Sequence, residues 1–326
     1  MGSHLRTLTR SALLAAILSL LCAASASAAL PWLGAAADSV SLRSVPGETA
    51  YGSWHAVPLR AARPSWYTDA LAARVHSANG QPVAAPIDAP FPSEVGIRPG
   101  SWMIEPYGCT MNFVFGSPGS YAIGTAGHCV DNGSQHVVLL TLAPNSGNPV
   151  LVDIGTAVKR QEAGIGKDFA LISIRSDLQR WVSPTTSVMA GPCGRYFGYQ
   201  PHAVFHYGHG LAIGTGGTPR AGLAITWQAD AYGWDGEAIF GDSGSPVRID
   251  RLQGAGNLTH LVVDTHWVPS FIAGTRIAKM EQIAGRPMAN SPLCASTTDL
   301  NDGGSPWSPL ITAHGKPPKA KGKPPT

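Results

Sequence analysis

The sequence predicts an all-β fold, an antiparallel barrel or sandwich closed by one short helix. Three observations predict it. The 326 residues include 38 glycines and 27 prolines, a share that favours many turns over long helices. Short β-type runs recur between Gly, Pro, Asn and Asp turns from Ser101 onward, the texture of a barrel or sandwich. In that region a single segment, Arg276 to Ile283, has helical spacing, and it stops at Gly285.

Taken in order, residues 1–28 combine Arg6 and Arg10, an apolar stretch from Ala12 to about Ala24, and the small-residue site Ala26-Ser27-Ala28. That pattern is a secretory leader, and Cys22 is discarded with it. No later run approaches the ~20 apolar residues of a membrane span, so no transmembrane anchor is expected. Residues 29–100 are rich in Ala and Pro, with one helix expected over Trp66 to His76 introduced by Ser65, and read as a pro-segment and linker. The β-type runs then follow: Thr110 to Phe115, Tyr121 to Ala126, Val137 to Leu142, Phe169 to Ile174, Ala203 to Tyr207, Leu223 to Trp227 and Leu261 to Asp264. Residues 290–326 are polar and end in a Lys/Pro-rich tail, expected to be disordered. No internal repeat is evident.

Composition narrows the function classes. With 44% apolar and 13% charged residues the chain is globular in type. The net charge is +3, but the leader carries two of the arginines and Lys316, Lys319, Lys321 and Lys323 lie in the tail, leaving −3 on the body. Such a body offers no basic surface for nucleic acid. Beyond the leader lie Cys109, Cys129, Cys193 and Cys294, an even set that in an oxidising compartment reads as two disulfides, with three connectivities open.

The chemistry-bearing residues fall in three places. Gly241-Asp242-Ser243-Gly244-Ser245-Pro246 leads into the apolar run Val247 to Ile249. A serine between glycines can expose its hydroxyl while backbone N–H groups converge on a developing oxyanion. Because a serine hydroxyl alone is a weak nucleophile, it needs a histidine base and a carboxylate to orient that base. Thr125-Ala126-Gly127-His128-Cys129 ends one expected strand and Asp168-Phe169-Ala170-Leu171 begins another. His128, Asp168 and Ser243 are spaced by 40 and 75 residues, room for a set of strands in each half.

These three motifs resemble, in the same order, the signatures of the chymotrypsin-like (trypsin-fold) serine proteases, over roughly Ser101 to Gly285. The resemblance implies two six-stranded antiparallel β-barrels, about 101–185 and 186–289, with the active site in the cleft between them. Carried over, His128 is the general base, Asp168 orients it, Ser243 is acylated, and the N–H groups of Gly241 and Ser243 form the oxyanion hole. It also implies a disulfide between Cys109 and Cys129 beside the catalytic histidine, which leaves Cys193 and Cys294 to pair and pin the segment after the terminal helix. No cofactor or metal is expected. His202, His206 and His209 have no carboxylate at ligand spacing and do not read as a zinc site.

Cys193-Gly-Arg195-Tyr-Phe-Gly-Tyr-Gln200 resembles a stretch of the bacterial secreted branch, including α-lytic protease, whose members carry a pro-segment. Nothing resembles the cleaved Ile-Val-Gly-Gly terminus that pairs with the aspartate before the serine in animal enzymes, so Asp242 needs another cation, and Arg195 is the candidate. Specificity hints conflict. Glu237, six residues before Ser243, sits where trypsin's pocket carboxylate falls and would favour Arg or Lys at the cleavage site. His266-Trp267 resembles the glutamyl endopeptidases, where the histidine helps bind an acidic side chain. Ile239 and Phe240 stand where animal relatives have a pocket disulfide.

The expectation is therefore a secreted, monomeric serine endopeptidase acting on protein or peptide substrates. Its mature start is expected between Pro82 and Ser101, with Arg74 and Arg98 as nearby maturation points. Two alternatives compete: a catalytically silent binding module on the same fold, and an α/β-hydrolase-type esterase using Ser243 with Asp264 and His266 or His260. The second lacks the Gly-x-Ser-x-Gly elbow, since position 245 is serine and Pro246 leads into a strand. Asn257-Leu258-Thr259 also fits an N-glycosylation site.

Overall fold

The computed structural model describes residues 46–49, 52–131, 136–210, 217–264 and 269–302. The leader, His266, Trp267 and the Lys/Pro-rich tail lie outside them. The chain divides into Met1–Leu42, also outside the described residues, and Arg43–Thr326, which carries every element below.

In chain order these elements are β1 (Pro46–Thr49), β2 (Gly52–Pro58), α1 (Asp69–Ser77), β3 (Val83–Ala84), β4 (Trp102–Glu105), β5 (Cys109–Thr110), β6 (Val114–Phe115) and β7 (Ala122–Thr125). A 3₁₀ turn over Gly127–Cys129 leads to β8 (His136–Leu142), β9 (Pro149–Glu162) and β10 (Asp168–Ile174), and a second 3₁₀ turn spans Ser176–Trp181. After it come β11 (His202–Gly208), β12 (Thr218–Trp227), β13 (Ala231–Gly236), β14 (Pro246–Ile249), β15 (Gly254–Asn257), β16 (His260–Asp264), β17 (Pro269–Thr275) and α2 (Ile277–Ala284).

The strands form two curled antiparallel sheets, a double β-barrel. One is ordered β5-β4-β8-β9-β10-β7-β6 with β3 added on β9; the other runs β1-β2-β16-β17-β13-β12-β11-β14-β15. They hold eight and nine strands where six each were expected: β3 joins the first sheet and β1 and β2 join the second from upstream, and each sheet has seven strands without them. Each sheet turns one face to an apolar core. The first core gathers Met103, Ile123, Val137, Leu139, Val152, Ala170 and Ile172; the second gathers Val204, Trp227, Tyr232, Trp234, Val247 and Ile272. Burying one such side chain stabilises the fold by ~1.5–3 kcal/mol.

The segment read as a linker is folded. Thr68, not Ser65, caps α1, its hydroxyl accepting the Leu71 N–H at 3.3 Å, because Pro64 to Tyr67 already form a turn. Tyr67 and Val75 pack with Trp102, Leu140 and Leu151 on the first barrel. Glu94 is fully buried against Tyr207 and His209 of the second. The closing helix α2 begins one residue later than expected and ends on Gly285 in the left-handed conformation, φ 67°. Its Ile277 and Met280 pack on Phe113, Phe115, Phe169 and Leu171, so the helix lies against the first barrel. Cys109 is bonded to Cys129 and Cys193 to Cys294.

Candidate active site

Three different elements deliver the three residues. The first 3₁₀ turn follows β7 and carries His128; β10 opens with Asp168; the turn before β14 carries Ser243. Gly127 is required before the histidine, since a Cβ there would lie 2.1 Å from the Gln161 carbonyl and 2.8 Å from Asp168 Oδ1. The Cys109–Cys129 bond ties that turn to β5.

The serine loop is held from both barrels. Thr110 on β5 donates its N–H to the Ser243 carbonyl at 2.8 Å and its hydroxyl to the Gly241 carbonyl at 3.0 Å. Gly244 takes φ 91° so close to β5 that a Cβ would stand 2.0 Å from the Thr110 carbonyl. Only glycine meets both conditions.

His128 Nε2 lies 2.6 Å from Ser243 Oγ, and His128 Nδ1 lies 2.6 Å from Asp168 Oδ2. The His128 backbone N–H donates to Asp168 Oδ1 at 3.0 Å. All three residues are buried. Asp168 is anchored by the second barrel, its carbonyl accepting the Asn257 amide and the Thr275 hydroxyl, each at 3.1 Å. Burial pushes its carboxyl up, but the neighbouring charge and hydrogen bonds of His128 outweigh that and hold it below the usual carboxylate range. The arrangement supplies a nucleophile, a base in contact with it and a fixed carboxylate behind the base.

The N–H groups of Gly241 and Ser243 do converge, and on one oxygen: the Leu59 carbonyl, at 2.6 and 3.3 Å. Leu59, directly after β2, figures in none of the sequence motifs.

Asp242 is where the structure corrects the sequence reading. Its cation is Arg220 on β12, whose Nη1 lies 2.9 and 2.8 Å from the two carboxylate oxygens. The N–H groups of Gly210 and Ile239 complete the cradle at 2.8 and 2.9 Å. Arg195 instead pairs with Glu281 on α2 and with Asp299 at 3.3 Å, and gives a hydrogen bond to the Met288 carbonyl. It staples the C-terminal segment. The signal for Arg220 was register: it pairs with His206, which also pairs with Val247 just after the serine loop.

His260 is a second feature missed as part of this group. It packs edge-on against His128 at 5.6 Å, its Nδ1 is 2.8 Å from the Thr259 hydroxyl and 3.7 Å from Asp168 Oδ2. Burial pulls its pKa down to about 4 against the opposing pull of Asp168, so it is neutral at pH 7. The ligand atoms of His128, Asp168 and His260 lie within 4.8 Å of one another. His128 Nδ1 and Asp168 are nonetheless paired with each other and His260 Nδ1 with Thr259, an arrangement suited to proton transfer.

Of the two specificity candidates, Glu237 lies within the described residues. Glu237 is exposed, with its backbone carbonyl accepting from His206 Nε2 at 2.8 Å; His266 is outside the described residues. His202 contacts Asp250 and Asp302, and His209 contacts Glu94, so the three histidines serve separate polar networks.

Distant likenesses to this chain are found among serine proteases. Among solved structures it is similar to a glutamic-acid-specific serine protease that uses a histidine triad in substrate binding, at 13% identity and TM-score 0.40 over 59% of this chain and 100% of that one. Thermobifida fusca protease A gives 17% identity and TM-score 0.39 over 60% and 97%, and a serine endoprotease from Yersinia pestis gives 14% and 0.38 over 62% and 66%. No known family's sequence profile matches the chain, and no curated protein matches it.

Proposed function

We propose that the protein is a secreted serine endopeptidase that hydrolyses peptide bonds through an acyl-enzyme on Ser243, within a protease domain spanning about 101–289. The observation that carries this reading is the unbroken contact line from Asp168 through His128 to Ser243, both links 2.6 Å long. A core or turn histidine has no reason to bridge a buried carboxylate and a glycine-flanked serine.

The proposed step follows from this geometry. His128 Nε2 accepts the Ser243 hydroxyl proton as Oγ attacks the scissile carbonyl carbon, and Asp168 holds the other ring nitrogen protonated. The resulting oxyanion is held by the N–H groups of Gly241 and Ser243. Collapse expels the amine, which takes the proton from His128; water then hydrolyses the ester by the reverse sequence. Export is supported by the leader at residues 1–28 and by two disulfides in the described fold. Protein or peptide chains are the partners the reading requires.

Labelling the secreted protein with a fluorophosphonate, with Ser243→Ala as control, tests the reading. One adduct on Ser243, with peptide hydrolysis absent from the control, is expected. A mature, folded chain that takes up no reagent and cleaves no peptide would point to the binding-module alternative.

A further inference from the structure

The cleft is already occupied, and by the chain itself. β2 adds to β16 as an extra antiparallel strand, with Val57 opposite Leu261 and Ala56 opposite Val262. Leu59 continues the ladder by donating its N–H to the Thr259 carbonyl at 3.2 Å. Its own carbonyl takes the Gly241 and Ser243 N–H groups. Beyond it, Ala61 and Gly108 exchange two hydrogen bonds, at 2.8 and 3.0 Å, next to Cys109 on the first barrel. Arg60 Nη1 donates to the His128 carbonyl at 2.8 Å. Backbone pairing on both sides of one carbonyl, one side on each barrel, is the way an extended peptide is held for cleavage.

The side chain before that carbonyl is equally well placed. Leu59 is 1% exposed and belongs to the apolar cluster containing Phe240, Ala238 and Leu261. The exposed Glu237 carboxylate is not enclosed with it. Arg74 lies inside α1, whose helical backbone cannot pair as a strand, and the bond after Arg98 precedes Pro99.

We propose that the Leu59–Arg60 bond is the protein's own first substrate, cut in cis by Ser243, and that the pocket holding Leu59 selects a leucine-sized apolar residue before the scissile bond. This rests on the endopeptidase reading above. In the step, Ser243 Oγ bonds to the Leu59 carbonyl carbon, the C–N bond to Arg60 breaks, and the Arg60 nitrogen leaves with the proton relayed by His128. One water then releases a Leu59 carboxylate and restores the serine hydroxyl, so the net change is addition of one water across the bond. Arg60 onward stays in place through the Ala61–Gly108 bridge and the packing of Tyr67 and α1. β2 then has only non-covalent pairing with β16, and its departure opens the cleft. Before the cut, the same strand excludes other substrates.

The test is denaturing intact mass and N-terminal sequencing of the full chain, wild type beside Ser243→Ala, Leu59→Met and Leu59→Asp. The wild type is expected to yield an Arg60 amino terminus and a Leu59 carboxyl terminus at a rate independent of protein concentration, while Ser243→Ala stays whole. Leu59→Met, which keeps an apolar side chain of similar size, should stay within ~10-fold of wild type. Leu59→Asp, which would bury a charge, should slow the cut at least ~100-fold. Ser243-dependent cleavage at another bond with Leu59–Arg60 intact would overturn this proposal and leave the endopeptidase reading standing. An uncut chain overturns the proposal as well; fluorophosphonate labelling of Ser243 in Leu59→Asp, whose cleft strand is weakened, then tells whether the endopeptidase reading has failed with it.

Discussion

His128 Nε2 and Ser243 Oγ stand 2.6 Å apart although 115 residues separate them in the chain. The first belongs to a turn tied by a disulfide to β5, the second to a loop whose carbonyls are held by Thr110 of the same strand. One strand thus sets both ends of the contact, and its geometry does not depend on a flexible loop.

Removing either member of this pair should abolish peptide hydrolysis. Ser243→Ala and His128→Ala are each expected to lower kcat/KM by ~10⁴ or more, with the double variant little worse than either single one, because the residues act as a unit. Asp168→Asn, which leaves the shape but offers the base the wrong hydrogen-bond partner, should cost ~10⁴. Additive losses in the double variant would argue against a shared step.

Arg220 is expected to matter where Arg195 does not. Asp242 is fully buried and the Arg220 side chain is 14% exposed, and breaking a largely buried pair costs about 3 kcal/mol because a carboxylate is left without its counter-ion. Arg220→Ala should therefore lower denaturation midpoints and depress kcat, since Asp242 adjoins the nucleophile. Arg195→Ala should loosen the C-terminal segment and leave kcat unchanged. Equal effects on kcat would contradict this assignment.

Acid should destabilise the fold in two stages. His260 titrates near 4 in the folded chain and at about 6.5 when unfolded. Between those values the unfolded chain binds more protons, so stability falls as pH drops from about 6.5 to 4, by up to about 3 kcal/mol. His206, also lowered by burial, acts in the same sense. The carboxyl of Asp168 is held low, so its contribution is lost only below about pH 4. Urea midpoints at pH 7.5 and 4.5 should differ accordingly, and His260→Gln should flatten the slope; an unchanged slope would remove His260 from the account.

The two disulfides should be separable. Cys193–Cys294 closes a span of 101 residues and Cys109–Cys129 one of 20, corresponding to about 4.7 and 3.3 kcal/mol in the chain-entropy picture. Replacing the first pair by serine should lower Tm with kcat intact, whereas replacing the second should also reduce kcat, because it frees the turn that carries His128. Thermal melts and initial rates on the two double variants measure this.

The local sequence determined a good deal. The run of short strands, the helix before Gly285 and the three motifs around His128, Asp168 and Ser243 are short-range patterns in turn residues and apolar alternation, and these are readable one window at a time. Arg220, His260 and Leu59 left no such mark. Arg220 reaches Asp242 through strand register alone, and register is set by pairings between strands far apart in sequence. His260 depends on the second barrel closing against Asp168. Leu59 lies in a stretch whose Ala- and Pro-rich composition reads as linker, and its partners Thr259, Gly241 and Ser243 are about 200 residues away along the chain. Composition and spacing thus determined the fold class and which three residues would meet; strand register within the second sheet decided which cation balances Asp242, and only the meeting of the two barrels decided which peptide lies in the cleft, since the Leu59 contacts are made between backbone groups that look alike in every sequence.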